Sequence, residues 1–137
     1  MSAETARAHL RPIPNHGIEI RTSSTRGRGV FARTEIAAGT VIETAPVLVI
    51  PAVDCPALDR TIIHDYYFHW DGDPEGTGRG AIGLGVVTLC NHGSHPNAKV
   101  ERNFRRHTLD LIATGRIAPG EEVTIDYGCT LWFEPRD

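Results

Sequence analysis

Gly120-Glu121-Glu122-Val123-Thr124-Ile125-Asp126-Tyr127-Gly128 reads as a turn, a strand and a tyrosine at the strand's end. Val123 and Ile125 alternate with polar neighbours, as a half-buried strand requires. On its own the stretch fits a core strand carrying a half-buried tyrosine, which packs its ring and keeps its hydroxyl near water. Its turn echoes an earlier one. Ala32, Ile36, Ala37 and Gly39 followed by Val41 and Ile42 match Ala113, Ile117, Ala118 and Gly120 followed by Val123 and Ile125. Each glycine permits the positive φ of a tight turn feeding a strand. The two units read either as related elements of a pseudo-symmetric β fold or as a chance likeness of two β-turns.

Upstream lies a dense polar run, Asn91-His92-Gly93-Ser94-His95-Pro96-Asn97, delivered by the apolar stretch from Ala81 through Leu89 and Cys90. An asparagine offers both a donor and an acceptor, which suits a ligand carrying an amine and a carboxylate. A surface turn rich in Asn, Gly and Pro has the same composition. Cys90, His92 and His95 are close enough in sequence to suggest metal ligands, but no fourth ligand accompanies them and adjacent strand residues point to opposite faces. Nearer the start stands Arg26-Gly27-Arg28-Gly29-Val30-Phe31-Ala32. Two glycines flanking one residue let backbone approach a ligand where a side chain would collide, although an ordinary tight turn looks alike. A dinucleotide-binding fingerprint is disfavoured, because no long helix follows and Ala32 replaces its third glycine.

The rest of the chain is dominated by β signals. Strands are expected at Ile18 to Thr22, Gly29 to Ala32, Val41 to Ala45, Val47 to Ile50, Ala98 to Arg102, Thr108 to Ala113 and Glu122 to Tyr127, with Pro46 separating the third from the fourth. Between Pro56 and Trp70, the spacing of Leu58, Ile62, Ile63 and Tyr66 predicts one face of a short helix. Asp71 to Gly80 reads as a turn or loop, and residues 1–17, with two prolines and no apolar period, as a mobile leader.

With 137 residues, 40% apolar and 23% charged, the chain fits one globular domain. The apolar stretch around Ala45 to Val53 is too short to span a bilayer, and no signal-peptide core precedes it, so a cytoplasmic protein without membrane attachment is expected. Cys55, Cys90 and Cys129 are odd in number and form no CxxC pair, which disfavours a disulfide framework. A net charge of −3 with scattered acids gives no footprint for direct nucleic-acid binding. Thirteen of the fourteen basic residues are arginine, leaving Lys99 as the single lysine, a bias that carries no functional weight.

Taken in order, GRGVFA, NHxxxPN and GEEVTIDYG resemble a SET domain, and the resemblance runs from about Ile18 to Phe133. It is to compact bacterial or viral members without flanking zinc-binding segments. What the resemblance implies is a mostly β, β-clip fold of small twisted sheets, with a C-terminal pseudoknot joining the Asn91 and Tyr127 motifs and one short helical insert. It places the SET domain at residues 18–128, the variable insert at about 52–80 and a short aromatic tail at 129–137. The implied activity is S-adenosylmethionine-dependent methylation of a protein lysine. Arg26, Arg28 and Gly29 would line the cofactor, Asn91 and His92 would hold its amino-acid and adenine ends, and Trp132 or Phe133 would close over the adenine. Tyr127 would sit beside the transferred methyl as the catalytic residue. The sequence departs from the family in having Gly93 and Ser94 where Ser and Cys are usual, a lone Cys129 in the tail, and Pro51 where relatives place a channel tyrosine. Tyr66 or Tyr67 is then expected to wall the substrate channel, with core packing the role of at least one of them.

The implied partner is a lysine-bearing protein, whether a histone tail, a DNA-packaging protein or a translation protein, each presenting lysine in a basic segment that a mildly acidic enzyme can attract. A homodimer that completes the substrate groove is compatible with so small a domain. The competing readings are a non-catalytic module of the same fold that binds cofactor or peptide, and a metal hydrolase built on His64, His69, His92 and His95, which lacks a recognised ligand spacing.

Overall fold

The computed structural model describes residues 17–73 and 78–126. Among these, nine strands form two sheets. The smaller sheet comprises β1 (Ile18–Ser23), β2 (Gly27–Ala32), β9 (Glu122–Ile125) and β6 (Asn91–His92), in that order. The larger has the order β4 (Phe68–Asp71), β5 (Arg79–Gly83), β3 (Val41–Ile50), β8 (Thr108–Ala113) and β7 (Ala98–Asn103). All pairings are antiparallel except β6 with β9, which is parallel. The described residues contain no helix long and apolar enough to cross a membrane.

Pro46 does not interrupt the chain into separate strands as the sequence suggests; β3 runs unbroken through it. Residues 41–46 pair with β8 and residues 47–50 pair with β5, so Pro46 stands where the strand changes partners. Its missing N–H falls at this changeover, and its carbonyl still accepts from Leu84 N at 2.8 Å.

The helix expected between Pro56 and Trp70 is also corrected. The insert holds a 3₁₀ turn at Ala52–Asp54, a single α-helical turn α1 (Cys55–Leu58) and a second 3₁₀ turn at Ile62–Asp65. Thr61 is extended, at φ −124° and ψ 173°, and its Oγ1 accepts from Ile63 N, so it ends one turn and caps the next. Beyond Tyr67 the chain enters β4, where Phe68 and Trp70 alternate into the core.

That core lies between the sheets and gathers Val30, Trp70, Leu109, Leu111, Ile117, Val123 and Ile125, all at most 1% exposed. Phe104 meets the Trp70 ring edge-on at 4.8 Å. A smaller core of Ile50, Cys55 and Tyr67, flanked by Leu58, Ile63 and Ile82, fixes the insert to β3 and β5.

Candidate functional site

β9 gathers the three sequence motifs. On one side it pairs with β2, matching Val30 with Val123 and Phe31 with Glu122. On the other it pairs with β6, matching Asn91 with Thr124 and His92 with Ile125. Stretches distant in sequence thus become neighbours.

Asn91 Nδ2 donates to the Arg28 carbonyl at 3.0 Å and to Glu122 Oε2 at 2.8 Å. Glu122 Oε1 accepts from Arg26 Nη1 at 3.2 Å, and the Glu122 side chain is only 12% exposed. Because a carboxylate only accepts, it turns the NH₂ of Asn91 toward itself. Both amide hydrogens are then held by protein, and Asn91 Oδ1 is the atom available to accept from a ligand. Gly29 lies under this chain of contacts. A Cβ there would run into the Glu122 carboxylate and approach Asn91 Nδ2 to 2.8 Å. Glycine at 29 is therefore required by space.

A cavity of about 120 Å³ opens here, lined by Arg26, Gly27, Arg28, Thr88, Leu89, Cys90, Asn91 and Tyr66. A second cleft of about 280 Å³ shares Arg26 with it and adds Glu122, Arg21, Phe31 and the hydroxyl-rich turn Thr22 to Thr25. Arg21 stacks on the Phe31 ring at 4.3 Å and so helps to form its wall.

The candidate residues separate accordingly. Arg26, Arg28, Gly29 and Asn91 come together. His92 follows on β6 with a side chain 10% exposed and Nδ1 4.0 Å from Asp126 Oδ1. Of the two insert tyrosines, Tyr66 is half-buried and lines the cavity. Tyr67 is corrected to a core residue: its ring is fully buried and its hydroxyl donates to Asp59 Oδ1 at 2.6 Å. Tyr127, Trp132 and Phe133 lie outside the described residues.

Gly93 also has a spatial reason. A Cβ at 93 would come within 2.8 Å of Thr124 Oγ1, so the threonine occupies the room that a larger residue would need. Gly93 N donates to Ile125 O at 3.0 Å and extends the parallel pairing. Cys90 is buried, and burial pushes its thiol pKa far up, with the Glu43 and Glu122 carboxylates adding to the shift. It is kept as a neutral thiol, not a ligating or nucleophilic thiolate.

Two site residues escaped the sequence reading. Glu122 looked like an ordinary polar strand position. Asn97 looked like a turn residue, yet its Oδ1 accepts from Thr124 N at 2.9 Å and its Nδ2 donates to Glu122 O at 2.8 Å, so its amide acts as a strand partner for β9. The signal available for Asn97 was its amide, which can bond one backbone N–H and one C=O together.

Two sheets, with β9, the last strand of the described residues, inserted between the Gly-Arg-Gly strand β2 and the Asn-His strand β6, define the SET-domain class. The SET-domain family model matches residues 27–128, and the chain belongs to this family. It is 32% identical over 124 residues to the Schizosaccharomyces pombe protein named histone-lysine N-methyltransferase, H3 lysine-37 specific, an alignment that covers 90% of this chain and 81% of the yeast protein. Its fold is similar to a Plasmodium falciparum crystal structure described as a candidate histone methyltransferase, with a TM-score of 0.66 and 27% identity over 85% of this chain and 97% of that one.

Proposed function

We propose that this chain methylates the ε-amine of a lysine in a protein substrate, taking the methyl group from S-adenosylmethionine. The observation that carries the reading is the convergence of Gly27, Arg28 and the Glu122-oriented amide of Asn91 on one cavity, with Gly29 leaving the room in which that amide is held. The residues fit the amino-acid end of the cofactor: Asn91 Oδ1 is placed to accept from an ammonium, and Gly29 leaves space for the Glu122 carboxylate that turns the Asn91 amide this way. At about 120 Å³ the cavity takes that end only. The adenosine end would extend toward His92, with Trp132 or Phe133 closing over it.

When bound, S-adenosylmethionine supplies an electrophilic methyl on a positive sulfonium. The chain's task is to hold a neutral amine in line with it, and such orientation accounts for a large share of the barrier reduction. A free lysine has a pKa of about 10.4, and desolvation beside a positive sulfonium favours the uncharged amine, its proton leaving to water. Tyr127 is assigned to positioning and electrostatic support of the reacting centre, since a tyrosine hydroxyl is a poor general base at neutral pH.

The name of the yeast relative supports a histone tail as the substrate class. The test is isothermal titration of the chain with S-adenosylmethionine, beside transfer of tritiated methyl to histones. Binding with label on lysine is expected. Binding without transfer to any protein would turn the reading to a non-catalytic module, and no binding would remove the cofactor from it.

A further inference from the structure

Glu43 lies on β3, in the other sheet from the strands that carry the site, and no motif includes it. Between Val41 and Glu43 the pairing with β8 slips: Val41 faces Ile112 and Glu43 faces Leu111, so Ile42 is an extra residue. Such a bulge re-aims the side chains that follow it. Here the Glu43 carboxylate reaches the 3₁₀ turn Val86–Leu89, where Oε2 accepts from Val86 N and Oε1 from Val87 N, both at 2.9 Å. Those amides open a helical turn and have no partner within it, so the carboxylate supplies both acceptors. The turn runs directly into Cys90 and Asn91, and its Thr88 and Leu89 line the cavity.

Gly85 is shaped to this contact. Its backbone is extended, at φ −177°, which any residue adopts, yet a Cβ there would lie 2.5 Å from Glu43 Oε1. The glycine is therefore required by the carboxylate, not by its own backbone.

We infer that Glu43 is a positioning residue for the candidate site: it clamps the 86–89 turn and thereby sets where Thr88, Leu89 and Asn91 meet the ligand. Asn91 is then set from two sides, by Glu43 through the 86–89 turn that leads into it and by Glu122 through its amide. The identity of the ligand rests on the function proposed above; the clamp does not.

Two measurements on the full chain separate these. Hydrogen exchange of Glu43→Gln, which keeps size but leaves only one oxygen for two N–H donors, is expected to speed exchange at residues 86–92 at least tenfold with the β7 and β8 strands unchanged. In titration with S-adenosylmethionine, Glu43→Gln is expected to raise Kd and KM about tenfold while kcat at saturation stays within about twofold. Glu43→Asp, with both oxygens on a shorter stem, is expected to recover some of what Glu43→Ala loses. Gly85→Ala is expected to weaken binding in the native background and to add no loss in Glu43→Ala, where the space is already clear. Val100→Ala, on β7, controls for lost stability and is expected to leave Kd unchanged. Unchanged exchange at 86–92, or equal losses from Gly85→Ala in both backgrounds, would overturn the clamp. If the native chain takes up no S-adenosylmethionine, the functional reading fails alone and exchange still decides Glu43.

Discussion

Ile36 and Ile117 exchange both backbone hydrogen bonds, each N–H donating to the other's carbonyl at 2.9 Å. Around them the bonds recur with the roles reversed. Gly39 N donates to Ala113 O and Gly120 N to Ala32 O, both at 2.8 Å. Ala113 N donates to Thr40 O and Ala32 N to Glu121 O, both at 2.9 Å. The repeated Ala-Ile-Ala-Gly pattern is thus a local two-fold, in which each turn is completed by the strand end of the other. One turn launches β3, which carries Glu43, and the other launches β9, which gathers the site.

This symmetry makes a quantitative prediction. Gly39 and Gly120 adopt φ of 85° and 84°, and an added Cβ meets nothing within 4 Å at either position. Alanine at each should therefore cost only the left-handed backbone penalty, about 1–2 kcal/mol. Urea denaturation of Gly39→Ala and Gly120→Ala is expected to give losses equal within about 0.5 kcal/mol, the usual error of comparing separate sites. Clearly unequal losses would mean that the two turns are not mechanically equivalent.

Gly29 makes the opposite case, because the obstacle is the neighbouring carboxylate and amide rather than φ. Gly29→Ala must push Glu122 or Asn91 aside. The atoms met are the ends of rotatable side chains, Glu122 Oε2 and Asn91 Nδ2, so the melting temperature is expected to fall by only a few degrees, in line with a loss of about 1 kcal/mol. The affinity for S-adenosylmethionine is expected to fall at least tenfold, equivalent to about 1.4 kcal/mol. Native-like affinity in titration would show that the Asn91 amide need not be held by Glu122.

The sequence disclosed those elements of the site whose chemistry is local. Gly-Arg-Gly, Asn-His and the strand toward Tyr127 each carried a signal in one short stretch, and their order supplied the family. What it did not disclose depends on pairing across the chain. Pro46 reads as a strand breaker until β3 is seen to change partners there. Leu58, Ile62 and Ile63 keep helical spacing, but Thr61 breaks the helix between them, and Leu58 and Ile63 still pack against the insert's small core. Glu122 and Glu43 look like surface acids, because only the folded chain brings Asn91 and the Val86 and Val87 amides to them.

On the proposed function, substitution of Tyr127 is expected to separate binding from chemistry. A tyrosine that supports the reacting centre contributes more in the transition state than in the ground state, so removing its hydroxyl should lower kcat and leave ligand affinity nearly intact. Tyr127→Phe is expected to reduce turnover by about a hundredfold or more while the dissociation constant for S-adenosylmethionine changes less than about threefold, of the order seen for loss of one transition-state group. Equal activity in the methyl-transfer assay would remove Tyr127 from the mechanism.

Cys90 gives the fold a pH dependence of definite sign. Burial, with Glu43 and Glu122 nearby, holds its thiol pKa far above the ordinary value of 9.0. The folded chain therefore keeps its proton at pH values where the unfolded chain loses it, and stability rises with pH only where the unfolded state binds more protons. Here the unfolded state binds fewer. The stability linked to Cys90 is complete below about pH 9 and is lost as pH climbs above it, by about 1.4 kcal/mol for each unit. Arginine, tyrosine and lysine titrations overlap at high pH, so the decisive comparison is the native chain against Cys90→Ala. The variant starts lower because it opens a cavity in the core, but its denaturation free energy is expected to fall less between about pH 8 and pH 10, by about 1.4 kcal/mol. Parallel pH profiles would mean that Cys90 ionises as readily in the folded chain as in the unfolded one, contrary to its burial against two carboxylates.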